Sequence, residues 1–223
     1  KKFQATFMEV CDTLGKLWKA EADARAPYIP SEQVTAEPKI YTNYTSIIFS
    51  GDRMYAVKSG YVDNPSLVKI SPDGEEKFLS YMSPQISDLR ADSKGRIWWS
   101  ETTTNERWTL ETGSVLRRRN EKKTEKLGEN ELLYNPALSP SQTRISTSTY
   151  SIDGRNRLDI LDASGNIRES FSVPDTLQIV QTAWLSEMDI YATAISENGY
   201  GIYHINPCSG DWRNVLAPQP VMM

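Results

Sequence analysis

The sequence predicts an all-β fold: a β-propeller with about four recognisable four-stranded blades, preceded by one N-terminal α-helix. Three observations predict it. Residues 144–170 read as three short strands joined by tight turns, with Asp153-Gly154 and Ser164-Gly165 as the turn signals. The same phrase occurs four times: Met54, Ile97, Ile145 and Ile190 fall in one column at spacings of 43, 48 and 45 residues. The strand after that column aligns independently, in residues 66–70, 114–117, 157–160 and 201–204. A repeat of this length with four strands per unit is the mark of propeller blades. A β-sandwich also has short, evenly spaced strands, but they do not repeat in type and order at a fixed period.

Taken in order, residues 1–25 are helical. Phe3, Phe7, Val10, Leu14 and Leu17 step by 4, 3, 4 and 3 residues and so share one face. Ala20, Ala22 and Ala24 are strong helix formers, and Pro27 and Pro30 end the run. The opposite face is mixed in charge, so the stripe is expected to dock on another element rather than lie on a membrane. Residues 30–38 are a polar linker, which divides the chain into 1–38, helix and linker, and 39–223, propeller. The blades are expected at about 44–81, 85–128, 133–172 and 178–217. The loop between the second and third strands is longest in the second blade, residues 101–113. Long loops on a regular scaffold tend to carry recognition. In the fourth blade Asn198-Gly199 marks a tight hairpin. Trp98 and Trp99 are adjacent in a strand, so one ring faces each side of the blade. Asn43-Tyr44-Thr45 spells a glycosylation site, to which spelling alone gives no weight.

The stretch Asn135-Pro-Ala-Leu-Ser-Pro-Ser-Gln-Thr-Arg-Ile-Ser, followed by Leu158-Asp-Ile-Leu-Asp-Ala-Ser-Gly, resembles the WD40-like, PD40-type repeat of TolB-type propellers. That repeat has a strand, Ser-Pro-Asp-Gly, a basic residue, an apolar strand, then a strand ending in an Asp-X-X-Gly turn. Here Ser139-Pro140 is followed by Ser141-Gln142, and the fourth copy has Leu185-Ser186-Glu187 without the proline. The resemblance covers about residues 42–217. It implies a bacterial, extracytoplasmic address, periplasmic or cell-surface. It does not imply one function, because such propellers serve as scaffolds, sensors and substrate gates. Tol-type propellers can also follow a zinc peptidase domain, and residues 7–28 are similar to the helical exit from one.

Composition excludes several classes. The chain has 25 Lys and Arg against 29 Asp and Glu, a net charge of −4, so no basic excess draws nucleic acid. Residues 117–119 with Lys122 and Lys123 form a cationic cluster that reads as a solvated blade edge, where charge discourages edge-to-edge pairing. No apolar run reaches membrane-spanning length. Cys11 and Cys208 form neither a disulfide framework nor a zinc spacing. The one histidine, His204, lies mid-strand, so no His-Glu-X-X-His zinc motif exists, and no Gly-X-Ser-X-Gly elbow presents a nucleophile. No metal and no cofactor is expected. Propellers close with roughly four to eight blades. Four copies are therefore a small ring or part of a six- to eight-bladed one. Because the chain begins Lys1-Lys2 and stops at Met222-Met223, just after the fourth copy, it is expected to be a fragment of a longer protein.

Recognition is expected at the axial face. There the loops leading into each first strand meet the loops between second and third strands. The candidate contacts are Gln85, Asp88 and Asn135 from the former, and Arg107, Trp108 and Tyr200 from the latter. Trp and Arg are favoured anchors of interfaces; the plainer reading of Trp108 folds it onto its own blade. The expected function is non-catalytic binding of a peptide, protein or glycan. The alternative is the accessory propeller of a larger hydrolase of zinc peptidase type. An open ring would leave aliphatic residues around Ile47 and Ile190 exposed on the outer faces of the first and fourth blades, so the chain alone is expected to associate.

Overall fold

The computed structural model describes residues 2–25, 32–104, 112–128, 132–150 and 155–220. The chain divides into two compact units, Lys1–Val34 and Thr35–Met223. The first holds α1 (Lys2–Arg25). Asp12 sits one turn before Lys16 and the two pair at 2.7 Å, the favoured orientation for an i, i+4 ion pair. The apolar residues Phe7, Val10, Leu14 and Leu17 are exposed.

The second unit is four sheets, each an antiparallel meander with its strands in chain order. Blade 1 is β1 (Thr42–Ser50), β2 (Arg53–Gly60), β3 (Ser66–Ile70) and β4 (Glu76–Tyr81). Blade 2 is β5 (Arg90–Ala91), β6 (Ile97–Thr104), β7 (Thr112–Arg119) and β8 (Thr124–Leu127). Blade 3 is β9 (Leu133–Leu138), β10 (Arg144–Tyr150), β11 (Asn156–Asp162) and β12 (Ile167–Ser172). Blade 4 is β13 (Gln178–Ser186), β14 (Asp189–Ser196), β15 (Gly199–Ile205) and β16 (Trp212–Gln219).

Two of the tight turns share one chemistry. In Asp-X-X-Gly the aspartate side chain accepts from the backbone two and four residues on, and the glycine takes a left-handed φ. Asp92 Oδ1 accepts from Lys94 N and Arg96 N, each at 2.9 Å, and Gly95 has φ 74°. Asp162 Oδ1 accepts from Ser164 N and Asn166 N at 2.8 and 3.1 Å, and Gly165 has φ 87°. These side chains replace missing ladder bonds at the turn.

Strand parity then builds the seams. Tyr55, Val57 and Leu67 of blade 1 pack with Leu89, Ile97 and Trp99 of blade 2. Trp98, one residue on, faces the other way and packs with Leu116, Leu133, Ile145 and Leu161. The adjacent tryptophans do serve two seams, as alternation requires. Leu158 and Ile160 of blade 3 meet Ile179, Ile190, Ala192 and Tyr203 of blade 4. The four sheets do not close into a ring.

One expectation fails here. Ile190 does not share an exposed outer face with Ile47. Ile47 is 53% exposed, but Ile190 is 0% exposed, inside the seam with blade 3. The parity of β14 turns Ile190, Ala192 and Ala194 inward together, and Tyr191 and Thr193 outward. The apolar residues exposed on blade 4 include Leu185, Ile202 and Leu216 instead.

Candidate functional site

The first strands of successive blades touch one another, β1 with β5, β5 with β9 and β9 with β13, so they form the axial wall. Each is interrupted at its middle or entry. β1 shifts register between Thr45 and Ile48, with Ser46 at φ 49°. In β9 the interruption falls at Asn135-Pro136, and Asn135 has φ 51°. β13 shifts between Ile179 and Gln181. β5 has two residues, and the segment before it is held by Thr102 N donating to Gln85 O at 2.9 Å and Ser87 N to Ser100 O at 2.8 Å. A bulge turns a side chain that would point along a seam toward the axis, and bulges are enriched beside functional sites.

The bulges are tied together. Ser46 Oγ lies 3.5 Å from Asp88 Oδ1. Asn135 N donates to Ser100 Oγ at 3.1 Å, and Asn135 Nδ2 donates to Val180 O at 2.7 Å. Between them open two hollows. One, of about 310 Å³, is bounded by Ser87, Asp88, Arg90, Asn135, Val180 and Gln181. The other, of about 120 Å³, has Gln85, Ser100, Tyr134 and Asn135 in its wall. Burial raises the Tyr134 hydroxyl above its usual value, so it stays a neutral donor. The wall therefore offers one carboxylate, one guanidinium, three amides and several hydroxyls, a set suited to hydrogen-bonding a polar chain.

No protein-family model matches this chain, and no curated protein sequence does. Solved structures do. TolB from Acinetobacter baumannii superposes with a TM-score of 0.62 at 12% identity, over 84% of this chain and 46% of that one. The β-propeller domain of the Trilobed protease from Pyrococcus furiosus gives 0.57 at 14%, over 78% and 55%. YCF48 bound to D1 peptide gives 0.57 at 13%, over 82% and 57%. The fold is a TolB-like β-propeller. The chain spans less than two thirds of the length of each of these structures.

Within this TolB-like propeller, Gln85, Asp88 and Asn135 come together on the axial wall. Tyr200 lines neither hollow. It is not in a loop, as its sequence context suggests, but in β15, paired with Ile195 and Gln219. Arg107 and Trp108 lie outside the described residues. The sequence reading missed Arg90, Gln181 and Ser46. Their signal was the repeat itself: each sits within a few residues of the break in a first strand.

The structure also places Ser186, Asp189 and His204 together. Ser186 Oγ donates to Asp189 Oδ2 at 2.5 Å, and His204 Nε2 lies 2.7 Å from Asp189 Oδ1. The hydrogen bond from Ser186, then that from His204, holds the Asp189 carboxyl below its usual range. This is a serine–aspartate–histidine order. An acyl-transfer triad needs the imidazole between the hydroxyl and the carboxylate, to take the hydroxyl proton. Here the serine O–H donates to the aspartate instead, and the imidazole lies on the far oxygen of that carboxylate rather than between the two. Among the described residues no three His, Cys, Asp or Glu side chains cluster as metal ligands. Among them, too, no helix is long and apolar enough to cross a membrane.

Proposed function

We propose that the TolB-like propeller is a non-catalytic binding module that takes an extended peptide segment of a partner protein along its axial wall. The observation that carries this is the hollow of about 310 Å³ at the bulges, with Asp88, Arg90 and Gln181 at its surface. An extended peptide presents alternating N–H and C=O groups. A wall that mixes amides with one fixed charge of each sign can satisfy both. YCF48, of the same fold, is solved with a peptide bound, which supports the reading. Arg107 and Trp108 belong to the proposed contact set from the loop side, and the module needs no metal or cofactor. An extracytoplasmic, bacterial setting goes with this reading and rests on likeness to TolB.

A test is a peptide array probed with the full chain, followed by titration of the best peptide. Asp88→Ala with Gln181→Ala is expected to weaken binding about tenfold, since charge-assisted hydrogen bonds are lost. Both side chains are exposed, so the melting temperature should hold. An array with no peptide above background, or a double variant that binds unchanged, overturns the reading.

A second reading is favoured by one observation. Several structures of this fold are peptidases, including a puromycin-hydrolyzing peptidase from Mycobacterium tuberculosis and an acylaminoacyl peptidase from Pyrococcus horikoshii, of which the chain covers 30% and 32%. In that reading the propeller is the accessory domain of a larger hydrolase and its axial wall admits substrate. The same array distinguishes the two. Selective, saturable binding supports a recognition module, whereas weak binding of short peptides without sequence preference supports a substrate gate.

A further inference from the structure

A separate cavity, of about 320 Å³, opens at the seam of blades 1 and 2, lined by Tyr55, Leu79 and Ile97 beneath a rim of cations. The cations are Arg53, Lys69, Lys77, Arg119 and Lys122, against the single carboxylate of Glu121. Arg53 Nη1 holds that carboxylate at 3.3 Å. Among the described residues, no carboxylate stands within ion-pair distance of Lys69, Lys77, Lys122 or Arg119. Arg119 Nη1 donates to Thr124 Oγ1 at 3.1 Å, while its Nε is buried without a partner. A chain of net charge −4 does not gather five cations by average composition.

The other two seams are filled differently. Ladder register aligns Lys69, Arg118, Ile160 and His204 in one column, and Ile70, Arg119, Leu161 and Ile205 in the next. At each seam a member of the first column faces a member of the second from the following blade. Between blades 3 and 4 that pair is Ile160 and Ile205, both fully buried. Between blades 2 and 3 it is Arg118 and Leu161. Arg118 is satisfied there by Glu125, by Ala163 O and by the face of Trp98. Between blades 1 and 2 it is Lys69 and Arg119, two cations across an open space. Lys69 is also directly opposite Lys77 in the β3–β4 ladder. Like charges at that position destabilise a sheet. Such an arrangement is explained by something that neutralises it.

We infer that this seam cavity is a binding site for a compact oxyanion of two or more charges, a phosphate or sulfate ester, whose apolar or ring portion rests on Tyr55, Leu79 and Ile97. Arg119 supplies a planar donor and Lys69, Lys77 and Lys122 supply point charges, the usual division of labour around phosphate-type groups. The bound anion would bridge blades 1 and 2 and remove the Lys69–Lys77 repulsion.

The test is calorimetric titration of the full chain at low ionic strength with inorganic pyrophosphate, with sucrose octasulfate, and with sucrose as the uncharged control. One saturable site is expected for at least one of the anions. Pyrophosphate alone would point to a phosphorylated ligand, octasulfate alone to a sulfated glycan, and either result supports the site. Lys69→Gln with Lys77→Gln should weaken binding about tenfold or more without lowering the melting temperature of the free protein. Lys122→Gln, on an exposed turn, should weaken it without touching the fold. Lys16→Gln with Lys19→Gln in α1 should leave it unchanged. No saturable binding, a stoichiometry well above one, or seam variants that bind as the unaltered chain does would each overturn the inference.

Discussion

Removing the side chain of Asp92 tests the account of what holds blade 2. Asp92 is nearly fully buried and accepts four hydrogen bonds. They come from Lys94 N and Arg96 N at 2.9 Å, Arg96 Nε at 2.6 Å and Trp98 Nε1 at 2.9 Å. The two amides and Arg96 lie at the turn and regain water when the carboxylate goes. Trp98 does not: its ring is 1% exposed, packed in the seam and flanked by Arg96 and Arg118 at 5.3 and 5.2 Å. A stranded buried donor costs about 1–3 kcal/mol, and each lost charge-assisted bond a further 1 kcal/mol or so after rehydration. Asp92→Ala should therefore lose about 4–6 kcal/mol. Urea unfolding followed by far-UV circular dichroism measures it, with an unchanged slope as the sign that stability alone has moved. Trp98→Phe removes the stranded donor, so losing Asp92 should cost at least about 1 kcal/mol less in that background. A loss under about 1 kcal/mol for Asp92→Ala, or no coupling between the two substitutions, would refute the reasoning.

Other consequences are open to measurement. Burial pushes the Glu187 carboxyl up, but hydrogen bonds from Ser141 N and the pair with Arg144 outweigh that and hold it at about 2. A depressed folded value stabilises above the unfolded value, roughly 4.3. That contribution should fade as pH falls from about 4.5 to 2, and Glu187→Gln should flatten the fall in acid titrations of stability. Gly165 has a left-handed φ, and a Cβ there would stand 2.8 Å from Gly128 N across the seam of blades 2 and 3. Gly165→Ala should cost about 2–4 kcal/mol in thermal or urea unfolding, and a neutral result would show that the seam can open freely. Phe49 and Phe78 on blade 1, with Ile202 and Leu216 on blade 4, are exposed. The isolated chain should associate as concentration rises, and light scattering showing a monomer throughout would contradict this.

The architecture was legible because it is written in what recurs. The Met54, Ile97, Ile145 and Ile190 column holds one ladder position in all four second strands, paired with Ile70, Arg119, Leu161 and Ile205. Period two settled the opposite facings of Trp98 and Trp99. Burial was harder to read. Ile190 shares its column with Ile97 and Ile145 and is buried with them, whereas grouping it with Ile47 ignored that column. Ile47 lies at the break in β1, where the extra residue upsets the alternation that assigns a face. The axial residues Gln85, Asp88 and Asn135 were found because the start of a first strand is a defined place in a repeat. Arg90 and Gln181 were missed because a bulge cannot be seen in alternation that stops two residues later. The cations of the seam were visible as letters and misread as surface. Residues 117–119 look like an edge run, yet alternation sends Arg118 into one seam and Arg119 into the other. Their signal lies down the repeat, not along the strand. At the position where blade 3 carries Ile160, blade 1 carries Lys69, and a core position that turns cationic in one copy needs a partner. Arg118 has Glu125 and the polar His204 has Asp189, whereas Lys69 has no carboxylate within ion-pair distance among the described residues.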